Sequence, residues 1–179
     1  MSGISPKQAA QKVKAYRKAV MDEIERRCVK YCDQLCLEAI EHRQSAPGKH
    51  NFTGNLINSI VTCVYREKKP VYACYAGDSL PQAIQVKMTA PEHYHFSYDY
   101  EGEESDYTAE VKTDKGWGEN DARRFFRSYR PSGDYIFHIV VAYPVEYASF
   151  VERKRGTTGI LGTWSEAQRI GKTFLCINN

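Results

Sequence analysis

Three cysteines spaced four residues apart are the first candidates for chemistry in this sequence. Cys28, Cys32 and Cys36 lie within a helical pattern, so they would line one face of a helix. The outer two would be about 12 Å apart along the helix axis, which is too far for one metal ion. We interpret all three as small buried residues that pack against another element. Because no short paired cysteine spacing occurs, we expect reduced thiols.

Two histidines offer a second candidate metal site. His93 and His95 alternate along a predicted strand, beside Glu92 and Asp99. Two histidines at this spacing can bind one metal ion, but the sequence identifies no third ligand. We therefore favour exposed histidines on a sheet and predict no metal site.

The segment Gly171-Lys172-Thr173 is similar to the end of a phosphate-binding loop. That loop requires a glycine where this chain has Glu166, and no strand leads into it, so we predict no nucleotide site. The chain also lacks the Gly-x-Ser-x-Gly setting of a serine nucleophile. We expect neither catalysis nor a cofactor. A small enzyme with its site within residues 79–133 is the least favoured of three hypotheses.

Two clusters of basic residues could contact phosphate or a neighbouring subunit. The first is a helix flank formed by Arg123, Arg124, Arg127 and Arg130, and the second is a loop formed by Arg153, Lys154 and Arg155. A net charge of +3 is too small to indicate nucleic-acid binding by itself. We favour a solvated or subunit-pairing surface. Nucleic-acid binding by the Arg123–Arg130 flank is the alternative.

A long N-terminal helix is the first element that positions these residues. Ser5 is a good N-cap, Pro6 suits the first helical position, and Gln8 can close a capping box. Apolar residues then recur every three or four positions, which predicts a helical arm over residues 4–43. A straight helix of this length would measure roughly 50–55 Å, longer than a compact domain of this size. Part of its apolar stripe should therefore meet a neighbouring subunit, with a kink near the cysteines as the alternative.

A mostly antiparallel sheet is predicted from residues 44–78 and 134–179. Ile60–Tyr65 and Val71–Ala76 have strand patterns and would form a hairpin around a turn at Lys68-Lys69-Pro70. The β-branched run Ile136–Ala142 suits a buried strand, which Pro144 ends. With the helix packed on this sheet, the fold class is α+β, within a single domain of residues 1–179.

Residues 79–133 are predicted to form a large insertion between strands of the sheet. His93–Tyr100 alternates aromatic and polar residues, and Thr108–Lys112 could pair with it across the acidic loop 101–106. We predict a turn at 116–118 and a helix over Asp121–Tyr129, capped by Asn120. No apolar run approaches the roughly 20 residues of a membrane span, so we expect no membrane contact.

Two short segments match known signatures in their residues and in their order. The first is Thr53-Gly54-Asn55-Leu56 followed by Ser59-Ile60, and it resembles T-G-x-L-x-x-S-I. The second is Tyr147-Ala148-Ser149-Phe150-Val151-Glu152 followed by Gly156-Thr157, and it resembles Y-A-x-Y-V-E-x-G-T, with a longer interval before the glycine. Both signatures belong to phage tail-completion proteins, the head–tail joining and tail-terminator subunits of double-stranded DNA phages.

The resemblance implies a structural virion protein that joins the phage tail to the DNA-filled head. Such a subunit would form a ring, commonly a hexamer and alternatively a dodecamer, and would act by docking without catalysis. Its implied partners are copies of itself, portal, adaptor or stopper proteins, tail-tube proteins and, transiently, the passing DNA. It would be made in the cytoplasm of the bacterial host and located at the head–tail junction. Thr53 and Gly54 would be structural, and Glu152 would pair with a basic group nearby.

Overall fold

The computed structural model describes residues 5–45, 55–79, 93–100, 103–110 and 116–146, together with Ala148 and Ala167. Along the chain, the elements are α1 (Pro6–Ser45), α2 (Asn55–Asn58), β1 (Val61–Arg66), β2 (Lys69–Tyr75), α3 (Ala76–Ser79), β3 (His93–Tyr100), β4 (Glu103–Glu110), α4 (Gly116–Ser128) and β5 (Phe137–Ala142). This arrangement confirms the predicted α+β class, with a long N-terminal helix and an antiparallel sheet.

The first helix begins at the predicted capping box. The Gln8 backbone N–H donates to Ser5 Oγ over 3.3 Å, and the Ser5 N–H donates to Gln8 Oε1 over 3.0 Å. These two bonds satisfy donors that the start of a helix leaves unpaired. The helix then continues for 40 residues to Ser45, which corresponds to about 60 Å.

The main sheet has the strand order β2-β1-β5, and both pairings are antiparallel. Val61 lies opposite Tyr75 on one side and opposite Ala142 on the other. The central strand β1 is buried from Val61 to Tyr65, whereas β5 is only half-buried along its length. The sequence predicts a buried strand at Ile136–Ala142. The strand is present, but the predicted burial was wrong: its residues are only half-buried because β5 lies at the edge of the described sheet.

Each face of the sheet packs against a different helix. Val64 contacts Cys28 and Cys32 of α1, together with half-buried residues of β2 and β5. On the opposite face, Val61, Cys63 and Tyr65 pack against Ala122 of α4 and its two phenylalanines. Because side chains alternate along a strand, β1 supplies apolar residues to both layers. The sheet is therefore covered by α1 on one side and by α4 on the other.

Aromatic rings join α4 to the sheet. The Tyr65 ring lies 6.0 Å from that of Phe126 and 5.8 Å from that of Tyr129. Phe126 also meets Tyr75 edge-on at 6.4 Å, while Phe125 stacks on Tyr129 at 4.8 Å. Edge-to-face and offset arrangements of this kind stabilise packing beyond the area that they bury. Thus α4, which comes from within the predicted insertion 79–133, covers one face of the sheet.

The strands β3 and β4 form a separate two-stranded ladder. His93 pairs with Glu110 and Tyr100 with Glu103, with the register unbroken between them. The predicted bounds of β3 are confirmed. The predicted partner Thr108–Lys112 was wrong in its bounds, because β4 covers Glu103–Glu110 and residues 103–106 belong to the strand and not to the connecting loop.

Two other predicted boundaries are corrected by the structure. The turn between β1 and β2 consists of Glu67 and Lys68, which have φ angles of 51° and 64°. Two consecutive left-handed residues make the turn whose twist matches a two-residue hairpin, so Lys69 and Pro70 belong to β2 and not to the turn. In addition, the predicted turn at 116–118 is the first turn of α4.

Candidate interaction surfaces

The signature residues that the structure describes lie in the core. Leu56 is buried in α2, and Ser59 is fully buried where its Oγ donates to the Leu56 carbonyl over 2.8 Å. Ala148 is also buried, and its N–H donates to the Val145 carbonyl over 3.0 Å. These three residues support the fold and do not form a surface. The other signature residues lie outside the described part of the chain: Thr53, Gly54, Tyr147, Glu152, Gly156 and Thr157.

Asn55, which lies within the first signature, makes a contact that the sequence did not suggest. Asn55 is buried, and its side-chain Oδ1 accepts a hydrogen bond of 3.2 Å from the Gly118 N–H in the first turn of α4. A Cβ on Gly118 would lie 2.1 Å from the Asn55 carbonyl oxygen. Only glycine permits this approach. Asn55 therefore anchors α4 against α2, and the glycines on either side of Trp117 were the available signal.

The arginine flank of α4 is partly neutralised by its own helix. Arg123 donates to Glu119 Oε1 over 2.7 and 2.9 Å, and its guanidinium lies 4.5 Å from the centre of the Tyr75 ring. Arg124 pairs with the buried carboxylate of Asp121 at 2.6 Å. Arg130 donates to the backbone carbonyls of Arg127 and Tyr129. The structure therefore gives this flank helix-stabilising contacts, while the basic loop Arg153, Lys154 and Arg155 lies outside the described residues.

A stronger concentration of positive charge lies on the first part of α1. Every residue from 5 to 19 is exposed, and we call this the exposed segment. It carries five basic residues and no carboxylate: Lys7, Lys12, Lys14, Arg17 and Lys18. Val13 is 67% exposed and Tyr16 is 73% exposed, so the apolar stripe of the helix continues uncovered along it. The exposed segment thus presents charge and apolar area together.

A groove of about 540 Å³ lies where the exposed segment leaves the body of the protein. Lys14, Lys18 and Met21 form its α1 side, while Arg66, Glu67 and Ile136 form the side contributed by the sheet. Ile136 is 47% exposed. The groove therefore combines an excess of positive charge with apolar walls, a combination that suits an acidic segment of protein.

The base of the exposed segment is held by ion pairs. Arg66 Nη1 lies 2.8 Å from Glu25 Oε2 and 3.7 Å from Asp22 Oδ1, which ties α1 to the end of β1. Within α1, hydrogen bonds from Arg26 and Arg27 lower the pKa of Glu23 to about 2. Asp22 is thus the first carboxylate along the described part of α1, and Asp22, Glu23 and Glu25 all form ion pairs with nearby arginines. The exposed segment before them keeps its positive charge.

The three cysteines of α1 are buried, as predicted. Cys32 exchanges contacts with Thr62: its Sγ lies 3.2 Å from Thr62 Oγ1, which in turn donates to the Cys32 carbonyl. Cys36 donates to the Cys74 carbonyl across the sheet face. Burial raises the pKa of Cys32 to about 12, and burial likewise raises the pKa of Cys63 to about 12. These thiols are small core residues with little thiolate at neutral pH.

Searches against known proteins give no relative from which a role could be transferred. No protein-family model, curated protein sequence or solved structure matches the chain. In the described part of the chain, no cluster of three or more His, Cys, Asp or Glu side chains could hold a metal ion, and no helix is both long and apolar enough to cross a membrane. The side chains of His93 and His95 lie outside the described set.

Proposed function

We propose that the protein is a ring-forming structural subunit of a phage neck or tail, joining the tail to the DNA-filled head by docking and without catalysis. The observation that carries this proposal is the exposed segment of α1. A helix of 40 residues leaves Val13 and Tyr16 uncovered at one end while its other end forms the core. Exposed apolar area in a continuous stripe is typical of a surface that binds another protein.

The resemblance to tail-completion proteins supports the same role. Leu56 and Ser59 of the first signature occupy buried positions that follow the long helix, and Asn55 between the signature residues fixes α4. This order of elements agrees with the family pattern: helix, signature turn, hairpin and a later strand. The proposed ring is a hexamer, with a dodecamer as the alternative. Portal, adaptor or stopper proteins and tail-tube proteins are its proposed neighbours.

The experiment is native mass spectrometry of the purified full-length chain at micromolar concentration, combined with negative-stain microscopy. We expect a discrete closed ring. A ring requires two different surfaces on each subunit, related by a rotation that closes. A protein that stays monomeric at all concentrations, alone and with neck or tail components, would contradict the proposal.

Nucleic-acid binding by the Arg123–Arg130 flank is the alternative function, and Arg124, with 74% of its side chain exposed, is the residue that favours it. The pairs with Glu119 and Asp121 reduce the positive charge available to phosphate. Binding of duplex DNA by a chain that stays monomeric, weakening steeply with salt and disappearing when Arg124, Arg127 and Arg130 are replaced by alanine, would support this alternative over the ring.

A further inference from the structure

The apolar residues at the start of α1 have the spacing by which one helix packs against another. Four of them recur at steps of four, three and four residues, and we call them the seam: Ala9, Val13, Tyr16 and Val20. This spacing places all four on one side of the helix, as in the contact line of a coiled coil. Ala9, Val13 and Tyr16 are exposed and Val20 is half-buried. An uncovered seam therefore runs for about 17 Å along α1.

A basic residue borders the seam on each side. Lys12 lies beside Tyr16 on one side, and Arg17 lies beside Val13 on the other. At 3.6 residues per turn, each is about 70° around the helix from the middle of the seam. Both side chains are exposed, and neither forms an ion pair within the described part of the chain. Because residues 5–21 contain no carboxylate, both borders of the seam are purely positive.

These charges make a second copy of the same segment an unsuitable occupant of the seam. In a parallel pair of helices Lys12 of one copy would face Arg17 of the other, and in an antiparallel pair each would face its own counterpart. Like charges placed together oppose association in both orientations. The apolar sides of α4 and of the later part of α1 already pack on the sheet. Charge complementarity thus favours a helix of another protein, with carboxylates beside its apolar stripe.

The residue types of the seam favour a protein over a lipid surface or a nucleic acid. Helices that bind at a membrane surface typically bury Trp, Phe or Leu, and residues 5–19 contain none of these. Phosphate contacts would engage the basic residues but leave Val13 and Tyr16 in water. An acidic amphipathic helix satisfies both requirements. Its apolar side chains cover the seam, and its carboxylates can also accept a hydrogen bond from the Tyr16 hydroxyl.

We propose that the seam of α1 binds an amphipathic α-helix of a partner protein, one whose apolar stripe is bordered by glutamate or aspartate. This inference rests on the proposed function, in which the protein acts by docking, and it specifies the chemistry of one docking partner. Val13 and Tyr16 supply the apolar contact, while Lys12 and Arg17 select the partner by charge. The affinity falls with rising salt, because charges at the border of the contact remain exposed and are screened.

Two synthetic helical peptides test this contact with the full-length chain. Each contains three heptads with isoleucine at position a and leucine at position d, and the e and g positions are all glutamate in one peptide and all lysine in the other. Fluorescence anisotropy measures the binding of each labelled peptide at several salt concentrations. We expect the glutamate peptide to bind at least about tenfold more tightly than the lysine peptide. Equal affinities, or no binding of the glutamate peptide, would overturn the proposal.

Variants of the seam and its borders should change the choice of peptide. Lys12→Glu combined with Arg17→Glu should invert the preference, so that the lysine peptide binds more tightly. Inversion is a gain of binding, which misfolding does not produce. Val13→Ser combined with Tyr16→Ser should weaken the binding of the glutamate peptide at least about tenfold, because it removes the apolar contact. A border variant that keeps the original preference would contradict the assigned role of Lys12 and Arg17.

A matched variant distinguishes the seam from the basic groove. Lys14→Glu combined with Lys18→Glu makes the same change of net charge as the border variant, but on the groove side of α1, more than about 120° around the helix from the seam. We expect the glutamate peptide to bind this variant within about threefold of the wild type, since the altered charges face away from it. A loss as large as that of the border variant would place the peptide in the groove and overturn the proposal.

Native mass spectrometry beside the peptide titrations separates this inference from the ring proposal. A ring that does not bind the glutamate peptide would overturn the inference and leave the ring standing, whereas a monomer that binds it would do the reverse. Self-association that is lost in the Val13→Ser, Tyr16→Ser variant would show that a second copy covers the seam. Binding of phosphatidylserine vesicles or duplex DNA that is lost in the same variant, without binding of the glutamate peptide, would assign the seam to those ligands. Either result would overturn the proposed partner.

Discussion

Between Cys28 and Ile40, α1 contributes most of its apolar residues to the core, whereas between residues 6 and 19 every residue of the same helix is exposed. We call the former range the covered segment. Both segments repeat apolar residues at helical spacing, and both alternate them with charged ones. The covered segment meets the sheet, while the exposed segment extends past it. Helical periodicity thus indicates which side of a helix is apolar, but the extent of the neighbouring layer determines which part of that side is buried.

Thiol reactivity should differ most between the two segments. Cys32 has its pKa raised from 9.0 to about 12 by burial, which corresponds to about a thousandfold less thiolate at pH values below 9. A cysteine introduced by Val13→Cys in the exposed segment should react with iodoacetamide at the ordinary rate. Peptide mapping after short exposure at pH 8 measures both sites. Comparable labelling of Cys32 and the introduced thiol would show that the covered segment opens readily.

The raised pKa of Cys32 also determines how its contribution to the stability of the protein changes with pH. In the unfolded chain Cys32 loses its proton near its ordinary pKa of 9.0, whereas in the folded protein it keeps the proton until about 12. The unfolded state therefore binds fewer protons between these values, so the contribution of Cys32 to stability falls as pH rises through this window. Urea unfolding at pH 8 and pH 10 checks the sign. A conservative Cys32→Ala variant should show a smaller loss over the same interval.

Truncating an apolar side chain should lower the free energy of unfolding in the covered segment but not in the exposed segment. Leu35→Ala in the covered segment, where Leu35 is 2% exposed, should lower the free energy of unfolding by about 2–5 kcal/mol. Val13→Ala in the exposed segment should change it by less than about 0.5 kcal/mol. Urea denaturation at a protein concentration that keeps the chain monomeric measures both. Equal effects would mean that the exposed segment packs on the body in solution.

The packing of α4, which covers the sheet face opposite α1, should be sensitive to a single added methyl group. Gly118→Ala places a Cβ 2.1 Å from the Asn55 carbonyl oxygen, so α4 must move away and we expect a loss of about 1–3 kcal/mol. Gly77→Ala is the matched control, because its Cβ would meet only the end of the Glu119 side chain at 3.4 Å. If both variants unfold at the same urea concentration, the anchoring role of Asn55 is wrong.

At the start of α1 we expect an effect that is confined to the exposed segment. Ser5→Ala removes one half of the capping box, worth about 1 kcal/mol of local helix stability. Because the exposed segment makes no part of the core, this loss should speed amide hydrogen exchange in residues 6–19 without shifting the global unfolding midpoint. Ser5→Asp, which preserves the cap, is the control. A shift in the midpoint would link the exposed segment to the stability of the whole fold.

Elements with strong local signals were the ones that the sequence predicted well. The capping box at Ser5 and the helical periodicity after it identified α1, and alternation identified β3 and most of β1 and β2. Boundaries failed where a non-local contact or an unusual residue decided them. Glu67 and Lys68 take left-handed conformations that glycine or asparagine would have signalled, and Gly118 belongs to a helix because Asn55 supports its first turn.

The burial of β5 and the position of the interaction surface could not be predicted from the sequence, because both depend on which elements are neighbours in the fold. The edge position of β5 in the described sheet follows from strand order, whereas its β-branched composition is typical of a central strand. The spacing of the arginines on α4 predicts a single basic flank, but Glu119 and Asp121 lie one turn away and pair with two of them. The basic residues of α1 lie between the apolar positions of the helix, so the sequence pattern does not separate them from the solvated face of an ordinary amphipathic helix.

The order of strands in the main sheet has a consequence for synthesis. The strand β1 can pair with β2 as soon as the turn Glu67-Lys68 is made, but its other edge is completed by β5, which follows residues 67–136. Local hairpins close quickly, whereas pairing across a long intervening chain is slow. While the ribosome is still adding that stretch, β1, the most deeply buried strand of the described sheet, has one set of backbone groups unpaired. Slower elongation after β2 should therefore increase aggregation of the nascent chain.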